Sequence, residues 1–158
     1  MQDEKRKTVM IFGTFDILHA GHENLFKQVR ELGDHAIVVL ARDKTVKNLK
    51  GELPYNSEQK RLRNLKESGL ADMVLLGENK DKYKLIRKHK PDVIALGYDQ
   101  FAFTYRLSKL IIDEKIDTKI FRLKPYKPQI YKSSILREKY EQDTQTKNTA
   151  VDPVWAGI

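Results

Sequence analysis

Two histidines, His19 and His22, stand three residues apart on either side of Ala20-Gly21. They close the stretch GTFDILHAGH, residues 13–22, which follows the apolar run Val9-Met10-Ile11-Phe12. Imidazoles this close repel each other when protonated, so the pairing asks for a chemical reason. Attack on the α-phosphorus of a nucleoside triphosphate supplies one. Its in-line transition state builds charge on nonbridging and leaving oxygens, and the protein's part is mostly position and hydrogen-bond donors. Two imidazoles at a helix start can donate to those oxygens, with help from the helix N-terminal dipole. Gly21 would let the backbone come close to phosphate, and Gly13 and Thr14 are expected to form a tight turn with exposed N–H groups. Two metal ligands on one helical turn are the competing chemistry. A metal needs a third ligand, and the sequence suggests none. His35 and His89 read as ordinary surface or core residues.

The elements that must hold this stretch can be read from the hydrophobic pattern. Strands are expected at 8–12, 36–41, 72–77, 92–97 and 118–123, mostly near-continuous apolar runs of the kind buried on both faces of a sheet. Between them Leu25, Phe26, Val29 and Leu32 make a helical stripe stopped by Gly33. A second helix is expected from about Ser57 with Asn56 as its N-cap and Gly69 as its stop. A short one around Leu85 and Ile86 ends before Pro91, and Phe103, Leu107, Leu110 and Ile111 stripe another. A last helix starts near Ser133 and carries Ile135 and Leu136. The alternation implies an α/β fold: a Rossmann-like, doubly wound parallel sheet of five strands in the order 3-2-1-4-5. GTFDILHAGH then lies at the carboxyl end of the first strand, where ligands of such sheets bind. Residues 1–140 form the expected domain. Residues 141–158, polar at first and ending with the single Trp155, read as a tail.

Composition narrows the classes. With no cysteine in 158 residues there is neither a disulfide nor a thiolate metal site. No run approaches the roughly 18–20 apolar residues of a membrane span, and the charged start MQDEKRKT has no signal-peptide core, so the cytoplasm is expected. Thirty basic against 22 acidic residues give a formal charge of +8, which favours anionic partners. Neither G-x-x-x-x-G-K-[ST] nor G-x-G-x-x-G occurs, so phosphate, if bound, is held in another way.

GTFDILHAGH resembles the G-T-F-D-x-x-H-x-G-H signature of the cytidylyltransferase-like nucleotidyltransferases, and the resemblance runs over about residues 8–140. It implies that an acceptor phosphate attacks the nucleotide's α-phosphorus, with pyrophosphate leaving and Mg2+ assisting. It implies nucleotide contacts at Gly13, Thr14, Phe15, His19, Gly21, His22 and Gly97, and acceptor contacts at Asp16, Asp43, Lys47 and Tyr98. Small members of this superfamily often form homodimers, so a dimer is expected.

Further motifs refine the subgroup. ARDKTVKNLKG, residues 41–51, reads as a loop after the second strand in which Lys44, Lys47 and Lys50, spaced by three, could clamp anionic oxygens. SEQKRL, 57–62, resembles the family's E-x-x-R helix start and makes Arg61 the expected phosphate-facing guanidinium. ALGYDQ, 95–100, is similar to archaeal FAD synthases, where glycerol-3-phosphate cytidylyltransferases usually show G-D-D-W; Asp99 is expected near the nucleotide or ordering its loop. Before the last helix, YKPQIYKSSILREK replaces the cytidylyltransferase R-T-x-G-I-S-T-T, with Ser133 and Ser134 in the matching place for a phosphate or for simple capping. Tyr98, Phe101, Phe103 and Tyr105 are candidates for lining a flavin slot, although Phe103 also fits the core stripe. The expected reaction is therefore FMN plus ATP to FAD and pyrophosphate. CTP-dependent transfer to glycerol 3-phosphate or a similar polyol phosphate is the alternative. Aminoacyl-tRNA synthetases share an H-I-G-H type signature, but this chain lacks room for tRNA-recognition modules. A non-catalytic RNA-binding module would use the positive charge, yet it has no need for paired histidines here. No aromatic-rich RNA-binding signature appears, so nucleic acid is not an expected partner.

Overall fold

The computed structural model describes residues 6–81, 83–97, 100–127 and 135–142, without the side chains of 101–104. Five parallel strands, β1 (Thr8–Gly13), β2 (His35–Leu40), β3 (Met73–Leu76), β4 (Val93–Leu96) and β5 (Lys119–Arg122), lie in the order β3-β2-β1-β4-β5. Both the strand set and the order follow the sequence expectation, because the pattern of burial is so plain. In β1, Val9 and Ile11 face one side with Phe26 and Val29 of α1 (Ala20–Leu32) and Leu65 of α3 (Glu58–Ser68). Met10 faces the other side, with Leu85 and Ile86 of α4 (Lys84–His89) and Leu107 of α5 (Phe101–Asp113). A strand covered on both faces must be apolar at every position, and that is what made β1, β2 and β4 conspicuous. The edge strand β5 alternates partly buried Ile120 with exposed Phe121, as a half-covered edge should. Among the described residues no helix is long and apolar enough to cross a membrane.

Three local expectations need correction. Residues 43–50 are not a loop: Asp43–Lys50 is a helix, α2, closed by Gly51 in the left-handed region at φ 82°. Its only buried residue is Val46, so no periodic stripe advertised it. The N-cap of α3 is Ser57, whose hydroxyl accepts from the Lys60 N–H, and Asn56 has other work. Gly33 does end α1, but in extended backbone rather than the left-handed turn. A Cβ there would sit 2.7 Å from the Lys7 carbonyl oxygen, so glycine is needed for close approach of the chain before β1. The last helix is described over 135–142; its expected start at Ser133 lies outside the described residues.

Candidate active site

Strand β1 ends at Gly13 and the chain reaches α1 at Ala20, so residues 14–19 form the bend that carries the histidines. Gly13 makes no turn. It is the last residue of the strand, and a Cβ on it would lie 2.7 Å from Cε2 of Phe15. The missing side chain admits the Phe15 ring, which is buried and held by a left-handed backbone at φ 49°. Such a conformation costs a non-glycine residue about 1–2 kcal/mol, and it places the ring 5.1 Å from His22 and 5.8 Å from Phe26. Phe15, expected to touch nucleotide, is thus the apolar wall behind His22.

His19 occupies the N-cap of α1, a place usually given to Ser, Thr, Asp or Asn. Its Nδ1 accepts from the Gly21 N–H at 3.0 Å, and Nδ1 of His22 accepts from the His19 N–H at 3.3 Å. A ring nitrogen that accepts carries no proton, so both neutral rings hold their proton on Nε2. The centroids are 3.9 Å apart. Burial, and after it the charge that His19 would carry, pull the His22 pKa from 6.5 down to about 3; burial also lowers that of His19. The pair is therefore uncharged at neutral pH and presents two N–H donors at a helix start, and repulsion between cations does not arise.

This arrangement has a consequence for stability. Unfolded His22 titrates near 6.5 and folded His22 near 3. Between those values the unfolded chain takes up a proton that the folded chain refuses. The His22 contribution is fully present above pH 6.5 and is lost progressively as pH falls towards 3. From pH 7.5 to 5.5 the loss is expected to be about 1.4 kcal/mol, and chemical denaturation at the two values measures it. His22→Asn should reduce that slope to what the other lowered histidines, His19 and His89, contribute; an unchanged slope would mean that His22 is not held neutral.

Arg61 does not face a phosphate site. It is wholly buried, and its guanidinium donates to the carbonyls of Asn56 at 3.2 Å, Thr14 at 2.8 Å and Ala41 at 2.8 Å, and to Asp43 Oδ1 at 2.8 Å. One fork thus ties the bend after β1, the end of β2, the start of α2 and the entry to α3. Asp43 and Glu58 complete it: each carboxylate accepts the other's backbone N–H, at 3.0 and 3.1 Å, so each caps the other's helix. Glu58 also lies 3.6 Å from Arg42, whose Nε donates to the Gly77 carbonyl beyond β3. Asp16 and Asp43, expected at the acceptor, are engaged in the same framework. Asp16 is 7% exposed and accepts from the N–H groups of Tyr55 at 2.7 Å and Asn56 at 2.8 Å. Asn56 returns a bond from its amide to the Asp16 carbonyl at 2.8 Å. These acceptors are met through backbone groups some forty residues away in the chain, so side-chain type alone gave no sign of them.

Lys44, Lys47 and Lys50 project from α2 as exposed side chains. Gly97 follows β4, with its N–H donating to Gln100 Oε1 at 2.7 Å and its carbonyl accepting from Arg122 at 2.8 Å. Gln100 also donates to the Phe12 carbonyl at 2.9 Å and so joins the ends of β4 and β1; the sequence reading passed over it in favour of its neighbours. Tyr98, Asp99, Ser133, Ser134 and the side chains of Phe101 and Phe103 lie outside the described residues, and Tyr105 stands 78% exposed on α5. Among the described residues no group of three or more His, Asp or Glu is placed to hold a metal.

A model of the cytidylyltransferase-like family matches residues 10–139. FAD synthase of Thermoplasma volcanium is 40% identical over 131 residues, 83% of this chain and 92% of that one. FAD synthase of Thermococcus sibiricus is 37% identical over 138 residues, covering 87% and 90%. Among solved structures, a Thermoplasma volcanium protein described as a lipopolysaccharide core biosynthesis protein superposes with a TM-score of 0.71 at 40% identity, over 77% of this chain and 98% of that one. Pantoate-beta-alanine ligase of Francisella tularensis, at 20% identity and a TM-score of 0.58 over 77% of this chain and 60% of that one, shares the fold.

Proposed function

The chain belongs to the cytidylyltransferase-like family and is a nucleotidyltransferase, and from that premise we propose that it adenylates FMN, joining it to ATP to give FAD and pyrophosphate. The observation that carries the mechanism is the pair of neutral imidazoles locked at the start of α1. A phosphate monoester with a second pKa near 6 is largely a dianion at pH 7, so the acceptor oxygen attacks without a base to deprotonate it. The bond from that oxygen to the α-phosphorus forms as the bond from the α-phosphorus to the bridging oxygen breaks, and pyrophosphate carries the electron pair away. Nε2–H groups of His19 and His22 stabilise the oxygens on which charge accumulates, and the helix N-terminus adds its partial positive charge. ATP enters as its Mg2+ complex. The ammonium groups of Lys47 and Lys50, exposed on α2, attract anionic oxygens of the substrates, and Gly97 serves the nucleotide from the end of β4. Relatives named FAD synthase at 37–40% identity over most of the chain support the flavin acceptor and ATP.

A pyrophosphate-release assay over four NTPs and several phosphorylated acceptors tests the proposal. ATP with FMN should dominate, and FAD should appear in equal amount to pyrophosphate. Turnover of CTP with glycerol 3-phosphate, and none with FMN, would overturn the choice of substrates while leaving the reaction type.

A further inference from the structure

Beside the histidine bend lies an open pocket of about 320 Å3, lined by Asp16, Ile17, Leu18, Tyr55, Asn56, Lys60, Asn64 and Tyr140. Ligand pockets run from about 300 to 1,000 Å3, so this one takes a single moiety rather than a whole nucleotide. Leu18 joins it directly to His19. Tyr55, between α2 and α3, and Tyr140, on the C-terminal helix, face each other with ring centroids 6.3 Å apart and planes within 25°. A flat ring between two aromatic faces needs about 7 Å, so a small displacement of one tyrosine would admit it. Both tyrosines are partly exposed, and Ile17 and Leu18 add apolar surface to the same wall. Lys60 and Asn64, one helical turn apart on α3, bring an ammonium and an amide to the same wall.

The aromatic pair favours the ring end of an acceptor, and Asp16 adds a charge that a phosphate would have to face. Asp16 on this wall has both carboxylate oxygens held by backbone N–H groups, and Arg137, on the same helix as Tyr140, is close enough for the two charges to interact. A phosphate beside it meets a buried like charge, whereas an uncharged aromatic ring does not. We infer that this pocket holds the isoalloxazine ring of the flavin acceptor, stacked on Tyr55 and Tyr140, with Asn64 and Lys60 directed at its carbonyl edge and its ribityl phosphate leading past Leu18 to His19. The inference rests on the FMN reading above and moves the ring away from the aromatic cluster after β4.

Flavin fluorescence titration with riboflavin and with FMN tests it, alongside the KM for ATP, in Tyr55→Leu, Tyr140→Leu and Tyr140→Phe. Aromatic stacking is worth about 1–3 kcal/mol per ring, so each leucine variant should bind both flavins about 5- to 160-fold more weakly. The KM for ATP should stay at the wild-type value, and Tyr140→Phe should keep flavin affinity. Leucine variants that bind riboflavin like the wild type, in a protein that makes FAD, would place the ring elsewhere. A loss seen with FMN but not with riboflavin would make this the phosphate's pocket and overturn the assignment. A wild-type protein that neither binds flavin nor makes FAD removes the FMN reading itself, a result legible before any variant is made.

Discussion

His22→Ala is expected to lower kcat by about 10²–10³-fold with little change in the KM for ATP, and His19→Ala should behave alike. A donor that acts on charge present only in the transition state is lost from kcat rather than from ground-state binding. Since alanine at 22 leaves space against Phe15, melting temperature should be followed too, and His22→Asn serves as a second variant that keeps an N–H. The neutral state of the pair adds a sharper test. Burial holds His22 near pKa 3, so wild-type kcat should not collapse as pH rises from 6 to 8. A rate that falls through pH 6.5 in step with loss of a cation would show that imidazolium is the working form. Near-normal turnover of either alanine variant would remove that histidine from the mechanism.

Arg61 should show the opposite signature. Its four bonds reach groups 5, 47, 20 and 18 residues away in the chain, and an ammonium cannot span them. Arg61→Lys keeps the charge but strands several buried acceptors, at about 1.5–3 kcal/mol for bonds involving a charged group. In a domain of this size that is roughly 3–12 °C of melting temperature. Arg61→Met, which leaves Asp43 without its cation, should cost about 3–5 kcal/mol, a large part of the roughly 5–15 kcal/mol that holds a domain together. Activity should fall with stability, because the bend bearing the histidines hangs from the Thr14 carbonyl. Wild-type melting combined with a raised KM for ATP would instead return the guanidinium to the substrate.

The contrast between these two residues shows where the sequence was legible. Strands β1, β2 and β4 announced themselves because burial on both faces leaves no polar position to obscure the run. The histidine pair was equally plain, its residue types and spacing being contiguous in the chain. Helix α2 was hidden because one buried valine makes no period, and because the carboxylate at its first N–H comes from Glu58, fifteen residues on. Arg61 and Asn56 were seen as residues of the right kind but given the wrong partners, and the backbone groups that hold Asp16 went unseen. A charged side chain does not reveal whether its counterpart is a ligand or a backbone carbonyl brought in by folding. The Tyr55–Tyr140 pair joins residues 85 positions apart and was invisible for the same reason.

The register of β1 also bears on how the chain is made. Val9 pairs with Ala36 on one side and with Val93 on the other. Synthesis proceeds at about 5–20 residues per second, so β1, β2, β3 and the whole Arg61 fork are available about 1–4 seconds before β4 leaves the ribosome. During that interval the central strand is an outermost one. Its unpaired backbone and its Met10 side chain, later covered by α4 and α5, are open to another chain. The arrival of Asp92 closes the gap, its carboxylate accepting the Thr8 N–H at 2.8 Å and its own N–H bonding the Thr8 carbonyl at 2.9 Å. The segment that carries β4 thus also ends the interval in which the edge of β1 lies open.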